Sequence, residues 1–191
     1  MNFSKIIDIS IPLSPSTVVY PGNPPVEIEA LTSESTASTI SQITMGSHTG
    51  THVDAPLHVF PNGAGVGSYS LDRFVGSARV LDCTSETISV TRATLETYNV
   101  QRGERILLKT TNSGRLQEPF FSQFIFLSPE GAEYLADREV ALVAIDYFSI
   151  KQKGSKDNRP HTALLSKGIP IIEGVDLQNV IPGDYFLSAL P

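Results

Sequence analysis

The sequence predicts a mixed α/β or α+β fold in which one mixed sheet carries a few helices on one side. Segments with strand character outnumber segments with helix character, and the two kinds alternate along the chain. Val140–Ile145 is apolar enough to be a central strand that is buried on both faces. The 191 residues, 40% of them hydrophobic, are enough for one folded domain, and we expect a single domain over residues 1–191.

Five segments have the composition of β-strands. Ile6–Ile11 and Ile40–Met45 are rich in isoleucine and alternate with polar residues. Ala78–Cys83, Arg105–Lys109 and Val140–Ile145 are more continuously apolar, which is typical of buried strands.

Helix signals are fewer and depend on capping residues. Thr91 can cap the segment RATLETYN, and Ser128 followed by Pro129 can begin a helix through GAEYLADRE. A third short helix is expected around Thr162–Ser166, ended by Gly168 before the strand-like segment IPIIEG.

The composition argues against several classes of partner. With 14 Lys+Arg against 20 Asp+Glu, the net charge is -6 and no basic cluster predicts nucleic-acid binding. Cys83 is the one cysteine, so no intramolecular disulfide can form. Since no stretch approaches the ~20 apolar residues that span a bilayer, we expect a cytoplasmic protein that does not bind membranes.

Three of the four histidines lie close together in the sequence. His48, His52 and His58 fall in the segment HTGTHVDAPLH, and His161 stands alone far downstream. Glycine, two threonines, valine and proline within this segment disfavour a helix, so extended backbone is expected. The clustering indicates a shared chemical role.

Extended backbone places His48, His52 and Asp54 on one face of a strand. A straight strand would separate the first two α-carbons by roughly 13 Å, and Gly50 is where the chain could bend to bring the imidazoles together. Two imidazoles and a carboxylate form the three-ligand set of a catalytic zinc or manganese centre.

Several segments resemble one known family, the metal-dependent cyclase-like hydrolases, which include bacterial kynurenine formamidase (arylformamidase) and isatin hydrolase. HTGTHVDAPLH matches the signature of that family. The segment IIDISIPLSPSTVVYPGNPP is similar to its opening strand and Pro-Gly turn, and VALVAIDYFS is similar to its central strand. The stretch from His161 to Pro191 is similar to its closing portion.

The resemblance implies a swivelling β/β/α domain that assembles as a homodimer or homotetramer. It also implies two sets of metal ligands that share a bridging aspartate, namely His48, His52 and Asp54 in one set and Asp54, His161 and Glu173 in the other. By the same resemblance, His58 is the catalytic histidine.

Physical reasoning supports two of these positions independently. His161 follows a polar run and begins the predicted third helix, so its ring can point inward from that junction. Glu173 ends an apolar strand, where a buried carboxylate is costly unless it is paired or binds a metal. Asp146 and Ser149, after the central strand, could bind a ligand or form a turn.

The substrate pocket is expected to lack tryptophan, because the chain contains none. The family often has tryptophan at Tyr20 and usually has aspartate at Asn23. An aromatic wall would then come from Tyr20, Phe60 or Tyr147. The apolar, proline-rich segment Ile11–Pro25 predicts a homo-oligomer in which Tyr20 approaches a neighbour's site.

The predicted reaction is hydrolysis of an amide or lactam bond in a small aromatic substrate. One or two divalent ions per chain, zinc or manganese, would activate water, and His58 would carry a proton to the leaving amine. The alternatives are a catalytically weak relative that binds a small acid or a metal ion, and a hydrolase or cyclase of a different small substrate. The presence of His58 favours the hydrolase, since a binding protein needs no proton shuttle.

Overall fold

The computed structural model describes residues 5–32 and 38–191. This part of the chain forms ten strands and three α-helices. The strands are β1 (Glu27–Thr32), β2 (Thr39–Thr44), β3 (His52–Asp54), β4 (Val75–Asp82), β5 (Ser89–Val90), β6 (Arg105–Lys109), β7 (Phe126–Leu127), β8 (Leu142–Ile145), β9 (Ile171–Glu173) and β10 (Gly183–Ser188). The helices are α1 (Arg92–Thr97), α2 (Pro129–Asp137) and α3 (Arg159–Ser166).

Six of the strands form one mixed sheet in the order β10-β4-β6-β8-β9-β3. The four central strands are parallel, and the two edge strands run antiparallel to their neighbours. Each crossover between successive parallel strands contains one helix. All three crossovers move the chain to the next strand in the same direction across the sheet. Because such crossovers are right-handed, the three helices lie on one face of the sheet.

The core has one layer on each face of this sheet. Val143 and Ile145 of β8 pack in the helix-side layer, and Leu142 and Ala144 pack in the opposite layer. All four residues of β8 are buried, which confirms that the central strand is apolar on both faces. The mixed fold with helices on one side is therefore as predicted.

The predicted strand at Ile6–Ile11 is wrong, because this segment forms no strand. The Asp8 carboxylate accepts hydrogen bonds from the backbone and hydroxyl of Ser10, and such local bonding competes with a strand ladder. The segment is nevertheless tied to the fold, since Asp176 N donates to Ile9 O at 2.8 Å.

The capping signals are confirmed at α1 and α2. Thr91 Oγ1 accepts a hydrogen bond from Thr94 N, and Ser128 Oγ accepts one from Gly131 N. The third helix begins earlier than predicted, at Arg159, with a proline in its first turn.

A separate two-stranded antiparallel sheet is formed by β1 and β2. Two apolar pairs lie directly opposite each other in its register, Ile28 with Ile43 and Leu31 with Ile40. All four side chains are exposed, Ile40 to 62% and Ile43 to 58%. None of the helices in residues 5–32 and 38–191 is long and apolar enough to cross a membrane.

Cys83 lies in the core and is predicted to be chemically inert in the folded protein. Its side chain is fully buried, and this burial, together with nearby carboxylates, raises the pKa of the thiol to about 12. Since the thiolate is the nucleophile, we expect no alkylation by iodoacetamide at about pH 8 in the folded state and complete alkylation in guanidinium chloride. Mass spectrometry measures both, and rapid modification of the folded protein would contradict the burial.

Candidate metal centre

The strand β3 and the turn before it place the first two histidines together. Gly50 has a φ of +67°, in the left-handed region that glycine adopts without strain. The chain bends there, so the ring centroids of His48 and His52 are 5.0 Å apart. The predicted bend at Gly50 is confirmed, and it removes the separation that a straight strand would impose.

The pairing of β3 with β9 brings two carboxylates to the same place. His52 lies directly opposite Glu173 in the antiparallel register, and Asp54 follows two residues later on the same face. Asp54 is 1% exposed and Glu173 is 3% exposed. The sheet thus buries two acidic groups beside the histidines.

The helix α3 contributes the distant histidine. It lies on the face of the sheet where Ile171 and Ile145 pack, which is also the face of Glu173. His161, in its first turn, is buried, and its Nε2 is 3.3 Å from Glu173 Oε1 and 3.5 Å from Asp54 Oδ2. The isolated histidine of the sequence therefore belongs to the same cluster.

His58 reaches the cluster from a short 3₁₀ turn, Pro56–His58. Its Nε2 is 4.0 Å from Asp54 Oδ2, and its ring centroid lies 4.2 Å from that of His48 and 5.1 Å from that of His161. The turn after Ala55 therefore carries the ring over the carboxylate rather than along the strand.

Two groups of three residues have donor atoms within 4.8 Å of one another: His48, Asp54 and His58, and His52, Asp54 and Glu173. Asp54 belongs to both groups, as in the predicted bridging role. The division of the histidines between the groups differs from the prediction, which paired His48 with His52 and Glu173 with His161.

The charges in the cluster shift the pKa values of its members. Burial lowers the pKa of His52, but Glu173 and Asp54 outweigh it and raise that pKa to about 9. Burial raises the pKa of Glu173, but His161 and His52 hold it well below its usual range. Burial, with the neighbouring His48 and His161, lowers the pKa of His58 despite the attraction of Asp54. The carboxylates thus favour a positive charge beside them.

The donor atoms of the cluster fit a divalent metal ion. Among the described residues, both carboxylate oxygens of Asp54 and Nε2 of His52 are buried without a hydrogen-bond partner. His48 Nδ1 approaches Asp54 Oδ1 at 2.8 Å as an ion-pair contact, without the geometry of a hydrogen bond. Buried polar atoms are normally satisfied, and carboxylate oxygens with imidazole nitrogens are ligands for zinc and manganese.

The three aromatic residues predicted to line the substrate pocket lie in different environments. Tyr20 lies in a turn whose Asn23 side chain donates to His48 O, and its ring centroid is 5.2 Å from that of Phe120. Burial, and then the charge of Glu173, raises the pKa of Tyr20. The turn that carries Tyr20 thus contacts the cluster of its own chain through Asn23, and the approach of Tyr20 to a neighbour's site stays a prediction.

Tyr147, which was predicted to line the substrate pocket, lies in the core instead. It is fully buried, and its hydroxyl donates to Phe121 O and accepts from Phe121 N. Phe60 is half-buried and packs against the helix-side core. An aromatic residue that the sequence analysis did not single out, Phe120, lies beside Tyr20 instead.

Asp146 stabilises a turn. Its position after the central strand had allowed two roles, ligand binding and turn formation. Its oxygens accept hydrogen bonds from the backbone and hydroxyl groups of Thr110 and Ser113. These bonds hold residues 110–113 against the end of β8. A carboxylate whose oxygens are already occupied is a poor candidate for a metal ligand.

Comparison with known proteins agrees with this architecture. The sequence profile of the family described as "Putative cyclase" matches residues 7–152. A kynurenine formamidase of Bacillus cereus is 36% identical over 194 residues, which cover 100% of this chain and 91% of that protein.

Two solved structures share the fold. One, described as a potential metal-dependent hydrolase with cyclase activity, has a TM-score of 0.87 and 33% identity, and the match covers 98% of this chain and 89% of the other. Isatin hydrolase A of Labrenzia aggregata has a TM-score of 0.82 at 20% identity, and the match covers 98% of this chain and 87% of the other. At this level of identity the similarity shows a shared fold alone.

A sheet with helices on one face and a buried cluster of histidines and carboxylates defines the class: a mixed α/β domain with a candidate metal centre. The chain belongs to the cyclase family, since that profile matches most of its length and the formamidase relative spans all of it.

Asp54→Asn is expected to abolish most metal binding, because Asp54 belongs to both ligand groups and an amide lacks the negative charge. Added zinc or manganese should raise the melting temperature of the wild type, since a ligand of the folded state stabilises it by about 2.7 kcal/mol at a hundredfold excess over its Kd. The variant should show neither this rise nor the metal content in elemental analysis.

The matched control is Asp184→Asn, a carboxylate on the exposed strand β10. It should retain the metal content and the thermal response of the wild type. Full metal content in Asp54→Asn would show that Asp54 is not a shared ligand.

Proposed function

We propose that this chain is a metal-dependent amidohydrolase that cleaves an amide or lactam bond of a small aromatic substrate. The observation that carries the proposal is the cluster in which two buried carboxylates face four histidines. The full-length relatives named kynurenine formamidase support an aryl formamide as the substrate class.

Five residues would hold one or two divalent ions, zinc or manganese: His48, His52, Asp54, His161 and Glu173. The bound ion would polarise the substrate carbonyl and lower the pKa of the attacking water. The protein's own contribution is to hold these side chains rigidly. Glu173, for example, is fixed by a 2.7 Å hydrogen bond from Ile150 N to its Oε1.

His58 is the residue we assign to proton transfer. Hydrolysis breaks the C–N bond of the amide, adds hydroxyl to the carbonyl carbon and requires a proton on the leaving nitrogen. The side chains of His58 and His48 are each 33% exposed, while His52 and His161 are largely buried. Of the two accessible histidines, His58 is the one outside the proposed ligand set, so it can meet both the cluster and the substrate. Its Nε2 lies 4.0 Å from Asp54 Oδ2, so the ring stands beside the carboxylate that would hold the ion, where an imidazole could transfer a proton to the leaving amine.

His58→Ala is expected to lower kcat by ~10²- to 10⁴-fold, the range typical of general acid–base groups, with metal content and melting temperature retained. If metal content and activity fell together, His58 would be a ligand. Unchanged turnover would remove it from the mechanism.

The activity itself is tested with purified protein loaded with zinc or manganese. The substrates are N-formylkynurenine, isatin and simple aryl formamides, and chelator is added in parallel. We expect hydrolysis of at least one of them and its loss with chelator. No hydrolysis of any of them, or full activity in chelator, would overturn the proposal.

We also propose that the chain forms a homo-oligomer, a dimer or tetramer. The support is the two-stranded sheet of β1 and β2, whose apolar cross-strand pairs are exposed. Isolated two-stranded sheets are marginally stable in water, so burial against another copy would stabilise this one.

Light scattering is expected to give a mass that is a multiple of the 20.7 kDa chain. Replacing Ile40 and Ile43 by Lys should shift the mass toward the monomer, because two charges would be buried in the contact. Ile181→Lys is the control, since Ile181 is 76% exposed and lies outside this sheet. A wild-type mass near 20.7 kDa would contradict the assembly.

A further inference from the structure

Beside the metal centre lies an aromatic and cationic wall formed by Tyr20, Phe120 and Lys153. The rings of Tyr20 and Phe120 meet edge to face with centroids 5.2 Å apart. Lys153 Nζ lies 5.0 Å from the centroid of Phe120. Asn23 N donates to Tyr20 O, and the Asn23 side chain donates to His48 O at 3.3 Å, so the tyrosine end of this wall lies in a turn that contacts the cluster.

The loop that carries Lys153 is fixed to the metal centre at both ends. Before the loop, Ile150 N donates to Glu173 Oε1 at 2.7 Å. After it, His161 N donates to Asn158 O at 3.0 Å, and Lys151 Nζ donates to Asn158 Oδ1 at 3.2 Å across the loop. The two ends of the loop that carries Lys153 are therefore fixed relative to two members of the cluster, Glu173 and His161.

The charge of Lys153 is available to a ligand, unlike the charges of the two arginines Arg115 and Arg159. Arg115, which lies over Phe121, is paired with Glu118 at 3.0 Å. Arg159 is paired with three acidic side chains. Within residues 5–32 and 38–191, Lys153 forms no ion pair, and its ammonium group lies over the ring of Phe120.

We propose that Lys153 binds a carboxylate on the aromatic ring of the substrate, while Phe120 and Tyr20 contact the ring itself. The substrate class is thereby narrowed to N-acyl arylamines that carry an acidic substituent. This inference rests on the proposed amide hydrolysis. A ring packed on this wall would direct its amide toward the histidines and its acidic group toward the ammonium.

Electrostatics explains why such a substrate needs Lys153. The chain has a net charge of -6. This net charge repels an anionic substrate that approaches the protein, and a cation beside the aromatic wall reduces the repulsion locally. A charge-assisted hydrogen bond to an ammonium is stronger than a neutral one, and here it also offsets that repulsion.

The test compares two substrates that differ in one group, formanilide and 2-formamidobenzoate, with the metal-loaded enzyme. Lys153→Gln should lower kcat/KM for 2-formamidobenzoate by about tenfold, which corresponds to about 1.4 kcal/mol, mainly through KM. Turnover of formanilide should stay within about twofold, a difference below 0.5 kcal/mol. Lys153→Arg should restore the preference for the acidic substrate, and added salt should reduce it.

Lys156→Gln is the matched control, because Lys156 lies in the same loop and is exposed like Lys153, whereas it is Lys153 that lies over Phe120. It should leave both substrates unaffected. Equal losses on both substrates in Lys153→Gln, no loss on either, or the same loss in Lys156→Gln would overturn the inference.

A binding measurement separates failure of this inference from failure of the proposed function. Wild-type enzyme loaded with metal should bind 2-aminobenzoate more tightly than aniline in calorimetry, and Lys153→Gln should remove that difference. If neither formamide were hydrolysed, the amidohydrolase proposal would fail, and a Lys153-dependent preference for 2-aminobenzoate would still support carboxylate recognition. No such dependence would overturn it.

Discussion

The burial of two carboxylates at one end of the sheet is the constraint on which the rest of the site depends. Asp54 and Glu173 are almost completely removed from solvent. An ionised carboxylate is costly to bury unless positive charge or hydrogen bonds compensate. Glu173 has one backbone donor, from Ile150, and Asp54 has none among the described residues. The four imidazoles, and a divalent ion among them, supply the compensation.

The topology of the sheet brings these groups together. The crossovers between parallel strands place α3 on the face where Glu173 lies, so His161 can approach from above the sheet. The antiparallel strand β3 then adds His52 directly opposite Glu173. At the end of this pair the chains touch closely: a Cβ on Gly174 would lie 2.6 Å from Gly50 O. Glycine there allows the two turns that carry His48 and follow Glu173 to meet.

Much of the site could be predicted because its signal is local. HTGTHVDAPLH combines ligand residues with a glycine at the bend, and capping residues marked α1 and α2 correctly. The failures have physical causes. Ile6–Ile11 has strand composition, but Asp8 bonds to its own neighbour instead of a ladder. The strand β10 was missed because most of its residues are exposed and it has no continuous apolar run.

The wall residues were predicted less well, because tertiary packing decides them. Tyr147 lies just after the strand β8 and Phe120 lies in a loop, and nothing local in the sequence states which of the two rings is fully buried. The structure buries Tyr147, whose hydroxyl bonds twice to Phe121, and leaves Phe120 between Tyr20 and Lys153. Tyr20 therefore lies beside Phe120 at the surface of the aromatic cluster, where its role toward the substrate stays a prediction, whereas Tyr147 lies fully in the core.

The metal cluster and the wall are built from different parts of the chain, and this separates reactivity from selectivity. The carboxylates and His52 belong to strands, whose backbone is fixed by the sheet. Lys153 lies between two anchors, Ile150 and Asn158, that are themselves bonded to the cluster. A change in the length of that loop would move Glu173 or His161, whereas a change of side chain at its middle would not. Substrate preference in this protein can therefore vary by substitution at the centre of the loop while the metal ligands stay in register.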